Sequence, residues 1–271
     1  MARELNGSEL AGFVKERQAY QVRNLRQQYG VQPKLAIIMS EQAGAVIEKY
    51  VSLKETYASD VLIEVEAVTC TLDAMPAKIA ELNSDSSVHG IIVQLPLQDV
   101  SKTDEIVNQI APEKDVDGLG AHADYVSATA EAIDWLLAGY NVDLKTGKIA
   151  IIGRGRLVGA PLEKMWSSRG LAVTCLDENS KDTARVLNRS SVIVSAAGVP
   201  RLVTSELVPK KATVVDAGTV SENGQIVGDI DDSVRERQDV SLTPKIGGVG
   251  PMTVCVMFDH VIQAALKTTK K

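Results

Sequence analysis

Aromatic residues, cysteine and histidine are all scarce in this 271-residue chain. Aromatics make up 4%, with only two phenylalanines and two tryptophans, and there are three cysteines and three histidines. Cys70, Cys175 and Cys255 lie far apart and outside any CxxC spacing, so neither a disulfide framework nor a zinc knuckle is expected. They read as the reduced thiols of a cytoplasmic protein. His89, His122 and His260 share no metal-ligand spacing, and no metal site is expected. Positive charge is also in deficit: 29 Lys and Arg face 35 Asp and Glu, a net charge of −6. That argues against a broad polyanion-binding surface, and so against nucleic acid as a partner, while leaving room for a local basic pocket. No run approaches the ~18 apolar residues of a membrane helix, and "MARELNGSELAGFV" has no continuous apolar signal core. Neither a membrane nor a leader is expected.

What is present is a rhythm. Short apolar runs alternate with longer amphipathic ones, the pattern of an α/β protein whose parallel sheets are covered by helices. Strands are expected at Leu35–Met39, Val61–Val68 and Gly90–Gln94, then at Ile149–Ile152, Ala172–Leu176, Val192–Ser195, Thr213–Asp216 and near Val240–Leu242. In "SELAGFVKERQAYQVRNLRQQYG" Ser8 is the expected helix cap and Gly30 the expected stop. "TAEAIDWLLAGYNVDLKTGK" reads as a helix followed by a polar turn, which places a domain junction between Gly118 and Lys148. The helix after Pro251 carries apolar residues on more than one face and is expected to be well packed and to return to the first domain.

In "KIAIIGRGRLVGAP" a strand runs into Gly153, Gly155 and Gly159 and then into a helix-like stretch. Glycines there permit a tight turn, let backbone amides approach a pyrophosphate and aim a helix N-terminus at its charge. The spacing is a relaxed form of the dinucleotide fingerprint, and a plain strand–turn–helix with structural glycines is the competing reading. Asp177 follows the next strand, where dinucleotide sites keep a carboxylate for the ribose 2′-hydroxyl; it repels a 2′-phosphate and favours NAD over NADP. Glu178 adds to that charge, whereas Arg154 pulls the other way because a guanidinium pairs with phosphate. A solvated loop whose acids touch nothing is the alternative for "DENSKD".

Three first-half segments complete the candidate set: "YVSLK" (50–54), "GIIVQLPL" (90–97) and "EKDVDG" (113–118). Proline ends the ladder after Gln94, which lets that side chain project at the carboxyl end of a sheet. Tyr50 and Lys54 share a helix face if their segment is helical. A lysine drawn into a poorly solvated pocket loses proton affinity and handles protons near neutral pH. Taken singly, each has an ordinary reading: a solvated lysine, a glutamine capping backbone, an Asp-Val-Asp-Gly turn.

Together, and in order along nearly the whole chain, these segments resemble the bifunctional methylenetetrahydrofolate dehydrogenase/methenyltetrahydrofolate cyclohydrolase family. "YVSLK" looks like its Tyr-Val-x-x-Lys, "VHGIIVQLPL" is nearly its signature strand, and "PEKDVDG" matches outright. "GRGRLVGAP", "VVDAGTVSENGQIVGDI" and "TPKIGGVGPMTV" are similar to its cofactor loop, its Asp-x-Gly-Ile-Asn…Gly-Asp-Val segment and its Gly-Gly-Val-Gly-Pro-Met-Thr segment. The resemblance implies two α/β domains with a folate-holding cleft between them. Residues 1–118 with 251–271 form the folate-binding catalytic domain, and 119–250 a Rossmann-type NAD(P)-binding domain. It further implies tetrahydrofolate derivatives as partners, NADP or NAD as cofactor, with Asp177 tilting toward NAD, and a homodimer. The reaction implied is oxidation of 5,10-methylenetetrahydrofolate to the methenyl form, then hydrolysis to 10-formyltetrahydrofolate.

Position by position, the resemblance makes Lys54 the catalytic lysine, Gln94 the group that sets its protonation state, and Asp117 the residue that holds the pterin. Tyr50 stacks near the folate, and Val93, Leu95 and the stretch Gly247, Gly248, Val249, Gly250, Pro251 to Thr253 line its site. Gly153, Arg154, Gly155, Asp177, Ala197, Gly198 and Thr219 contact the dinucleotide. The chain departs from the family pattern at Ile47, Thr56 and Gly155, each in place of a hydrogen-bonding residue, and at Thr219 and Ile246. The loop from Asp117 to Ala128-Thr129-Ala130 is shorter than the family's. A member that has lost one or both activities, and binds folate or dinucleotide without turnover, is the alternative.

Overall fold

The computed structural model describes residues 3–41, 44–222 and 225–270. Its contacts form two compact units, Gly12–Ala128 with Val254–Lys271 and Met1–Ala11 with Thr129–Thr253. We refer to them as the Lys54 unit and the Gly153 unit.

The Lys54 unit holds most of α1 (Gly7–Tyr29), then β1 (Lys34–Ser40), α2 (Ala45–Asp60), β2 (Glu64–Cys70), α3 (Met75–Ser84), β3 (Gly90–Val93) and α4 (Thr103–Val107). The strands form a parallel sheet in the order β2-β1-β3. The central strand shows why: Leu35, Ala36, Ile37 and Ile38 are all fully buried, as a strand covered on both faces must be. The outer edge of β3 is not left open, because Ile91 bridges Asp115 and its amide donates to Lys114 O at 2.7 Å. Ala36, Ile38, Met75, Ile79, Ile91 and Val107 build the core on one face of this sheet.

The Gly153 unit continues with α5 (Ala128–Gly139), β4 (Ile149–Ile152), α6 (Gly159–Ser168), β5 (Val173–Leu176), α7 (Thr183–Leu187), β6 (Val192–Ser195) and β7 (Thr213–Asp216). A short hairpin of β8 (Val220–Glu222) and β9 (Gln225–Val227), α8 (Asp232–Arg235) and β10 (Ser241–Leu242) follow, and α9 (Val249–Thr268) begins here. The five-stranded parallel sheet has the order β10-β7-β6-β4-β5. The chain starts at β4, steps outward to β5, and returns to the other side of β4 for β6. That reversal opens a crevice at the carboxyl end of β4, the standard ligand position of a doubly wound sheet. β10 has only two residues, and the chain before α1 extends the sheet past it: Glu4 bridges Leu242, and Leu5 N donates to Leu242 O at 2.9 Å.

α9 is long and apolar enough to cross a membrane by length and composition, yet most of it is buried inside the fold. Within the Lys54 unit Tyr57 stacks on Phe258 with ring centroids 5.2 Å apart, and its hydroxyl donates to Gln18 Oε1 at 2.7 Å.

Two local expectations need correction. The second strand begins at Glu64, not Val61, because α2 runs to Asp60 and Val61–Ile63 form the turn that leaves it, with Leu62 at φ 63°. The cap of α1 is Asn6, not Ser8: Asn6 Oδ1 accepts from Glu9 N at 3.1 Å, while Ser8 is already helical. Gly30 does end the helix, donating to Arg26 O at 3.1 Å. Asn6→Ala should therefore destabilise the protein by about 1 kcal/mol in chemical denaturation, and Ser8→Ala by clearly less.

Candidate functional site

In the Lys54 unit α2 places Tyr50 and Lys54 one turn apart on a common face. Lys54 is half-buried, and its Nζ donates to Gln94 Oε1 at 2.7 Å. Gln94 follows β3 immediately. Its own amide donates to Ile38 O at 2.9 Å, and its Nε2 donates to Leu95 O at 3.1 Å, so the carboxamide is held with its oxygen toward the lysine. Burial pulls the Lys54 ammonium below the usual lysine range, against the opposing pull of the Asp117 charge.

Asp117 sits on a turn built by its neighbour. Asp115 is buried, and its carboxylate accepts from the amides of Gly118 (3.0 Å), Leu119 (3.4 Å) and Gly120 (2.7 Å). Burial pushes Asp117 up to about 6; the charge of Lys54 and of His260 opposes that rise, and the charge of Asp115 adds to it. The result is an amine and a carboxylic acid whose proton affinities have been drawn toward each other, the amine's lowered and the acid's raised by burial. Val93 lies in the hydrophobic cluster at 3% exposure, so its main chain alone can meet a ligand; Leu95 is half-buried and Tyr50 is exposed.

In the Gly153 unit β4 ends at the glycine loop. Gly153 has φ 94°, and a Cβ there would approach Ala196 O to 2.5 Å; a Cβ on Gly159 would fall on Gly153 O. The loop closes only because both residues lack side chains. Val158 precedes α6 and offers no side-chain cap; Ala160 N already donates to Gly155 O at 3.1 Å and Pro161 has no amide proton, so the helix start meets an anion chiefly through its dipole. This cradle fits a dinucleotide pyrophosphate. Asp177 lies just past β5, where its Oδ1 accepts from Asn179 N (3.0 Å) and Ser180 Oγ (2.8 Å). The Ser180 hydroxyl is the main cause that holds its carboxyl below the usual range. Arg154 NH2 meets Glu163 Oε1 at 3.0 Å. Ala197 and Gly198 follow β6, and the exposed Thr219 follows β7. Gly247 and Gly248 lead into α9 and Val249 to Thr253 are its first residues, with Gly247 O accepting from Ser8 N at 2.9 Å.

Residues 5–117 match the catalytic domain, and residues 127–269 the NAD(P)-binding domain, of tetrahydrofolate dehydrogenase/cyclohydrolase. The chain belongs to the tetrahydrofolate dehydrogenase/cyclohydrolase family. Among its relatives, the bifunctional protein FolD of Macrococcus caseolyticus is 36% identical over 97% of this chain and 98% of its own. The crystal structure of the FolD methylenetetrahydrofolate dehydrogenase/cyclohydrolase of Campylobacter jejuni superposes with a TM-score of 0.92 at 30% identity, covering 99% of this chain and 100% of that one. The Trypanosoma brucei FolD, complexed with NADP cofactor and inhibitor, superposes with a TM-score of 0.91 at 27% identity over 100% of this chain and 99% of its own.

Sequence reasoning missed what holds the loops after β6 and β7 in this tetrahydrofolate dehydrogenase/cyclohydrolase family member. Asp229 is fully buried and accepts from Ser195 Oγ (2.7 Å), Ala197 N (2.8 Å) and Val199 N (2.9 Å). Its own amide donates to Asp216 Oδ1 at 3.0 Å, and Asp216 in turn pairs with Arg235 at 2.7 Å. The stretch "VVDAGTVSENGQIVGDI" contains both acids, but acids beside glycines look like solvated turn residues; Asn223 and Gly224 within it lie outside the described residues. Gly218 was the available signal, since a Cβ there would fall on the Asp229 carboxylate.

Because folding raises the Asp117 pKa above its ordinary 3.8 to about 6, its ionisation opposes folding as pH climbs through that window. Asp117→Asn should therefore be more stable than wild type by about 1–3 kcal/mol at pH 7, with the gain gone below pH ~4 in thermal melts.

Proposed function

We propose that this chain oxidises 5,10-methylenetetrahydrofolate to 5,10-methenyltetrahydrofolate with NAD(P)+ and hydrolyses the methenyl form to 10-formyltetrahydrofolate. The observation that carries this reading is the Lys54–Gln94 hydrogen bond of 2.7 Å in a lysine whose proton affinity burial has lowered. Family membership supports the substrate class and both activities.

Hydrolysis asks for a group that removes a proton from water and returns one to the leaving nitrogen. The methenyl carbon is electrophilic and bonded to both N5 and N10. As water adds to it, the neutral Lys54 amine accepts the proton that water releases, and a C–O bond forms. When the C–N5 bond breaks, the ammonium gives that proton to N5, the hydroxyl proton passes to the amine and from there to solvent, and the carbon remains on N10 as a formyl group. Gln94 keeps the amine aimed without supplying a negative charge that would lock the proton in place. Asp117, ionised in the majority at pH 7, accepts hydrogen bonds from the pterin and helps return Lys54 to its starting charge.

The chemistry a bound dinucleotide supplies is that of a two-electron hydride acceptor. Gly153, Gly155 and Gly159 open the loop for its pyrophosphate, and the uncapped start of α6 faces the negative charge. Ala197 and Gly198, after β6, and Thr219, after β7, take the remaining dinucleotide contacts in this reading. Asp177 accepts from a ribose 2′-hydroxyl, which favours NAD. That Cys70, Cys175 and Cys255 form no disulfide among the described residues supports a reducing cytoplasm, and the family resemblance supports a homodimer.

An absorbance assay for methenyl-folate formation, with NAD and NADP offered separately, should show turnover; none with either dinucleotide in folded protein overturns the reading. Lys54→Met should cut hydrolysis of preformed methenyltetrahydrofolate by at least about 100-fold while part of the hydride transfer survives. Wild-type hydrolysis by that variant would remove Lys54 from its role.

A further inference from the structure

The sequence sets one guanidinium, Arg154, against Asp177 and its neighbour Glu178, and tilts the choice between NAD and NADP only slightly toward NAD. The structure adds a further charge. Glu163 lies on the second turn of α6, and its Oε1 is 3.0 Å from Arg154 NH2, with side-chain exposures of 30% and 52%. The helix beneath it is rigidly seated: Leu162 and Trp166 are fully buried, and the Trp166 indole donates to Asp134 at 2.7 Å. Arg154 also lies against the Cys175 sulfur on β5, and it shares its surroundings with Asp177 just beyond that strand. The guanidinium is therefore paired with Glu163 and feels the charge of Asp177 as well.

We propose that Glu163 is a specificity-determining residue: by engaging Arg154 it withholds the guanidinium from a ribose 2′-phosphate, and with Asp177 it makes the chain prefer NAD. This rests on the dinucleotide reading given above. A 2′-phosphate brings a charge of about −2. To pair with Arg154 it must displace Glu163, and having done so it still faces two carboxylates that only one guanidinium offsets. A 2′-hydroxyl asks for a single acceptor, which Asp177 supplies without disturbing the pair. Glu163 touches neither ligand and acts through Arg154. An exposed ion pair is a weak restraint, so the discrimination it adds is modest and declines as salt screens it.

The test pairs binding with turnover. Adenosine 2′,5′-bisphosphate and ADP are titrated by calorimetry into wild type, Glu163→Gln and Glu163→Ala. Both variants should bind the bisphosphate about fivefold more tightly relative to ADP than wild type does, and the NADP/NAD ratio of kcat/KM should rise by a similar factor. In an Arg154→Ala background most of that gain should disappear, since the effect runs through the guanidinium. A purely structural role for Glu163 would change both affinities together and leave their ratio fixed. An unchanged ratio in a folded variant overturns the proposal while leaving the dinucleotide reading intact. Wild type that binds neither compound, and turns over with neither dinucleotide, overturns that reading as well.

Discussion

A lysine held by a carboxamide, and not by a carboxylate, is the interaction around which the Lys54 unit is arranged. A carboxylate at 2.7 Å in a half-desolvated setting would bind the ammonium proton firmly and raise its pKa. The neutral Gln94 oxygen fixes the direction of the amine while leaving burial to weaken its hold on the proton. Much of the local architecture serves that arrangement. α2 must be helical for Lys54 to follow Tyr50 onto the same face. β3 must end where it does for Gln94 to leave the ladder, and Asp115 must gather three amides so that Asp117 acts at longer reach.

The Gly153 unit solves a different problem, holding irregular backbone still at the ends of parallel strands. Two devices do this. At the end of β4, Gly153 and Gly159 lie so close to neighbouring backbone that neither position has room for a side chain. Further along the sheet a buried carboxylate takes the place of packing. Asp229 ties the loop after β6 to the segment that follows β9; its own amide donates to Asp216 at the end of β7, and Arg235 of α8 pairs with Asp216. A buried acid is tolerated there because each of its oxygens accepts hydrogen bonds.

Most of the fold was legible because parallel strands buried on both faces read as continuous apolar runs. β1, β3, β4, β6 and β7 are all of this kind, and their expected limits agree with the observed ones to within a residue. β2 was displaced because Val61 and Ile63 are buried in a turn, and burial alone does not distinguish a strand from the end of a helix. The cap at Asn6 went to Ser8 because both residues suit that position, and the choice depends on where the chain is pinned by Leu242 and Gly247 far along the sequence. The glycine loop, Lys54, Gln94 and Asp117 could be picked out by local pattern and family likeness. Glu163 and Asp229 could not, since each takes its meaning from a partner that no spacing announces.

The pairing of residues 3–5 with β10 makes the Gly153 unit discontinuous along the chain. A fragment begun at Thr129 would keep the glycine loop and every long strand, yet it would bare the outer rim of a two-residue strand. Unsatisfied backbone groups on such a rim invite a second molecule to pair in place of the missing segment. Attempts to prepare the nucleotide-binding half by simple truncation should thus meet poor solubility, whereas a fusion that carries residues 3–11 back to that rim retains the native closure.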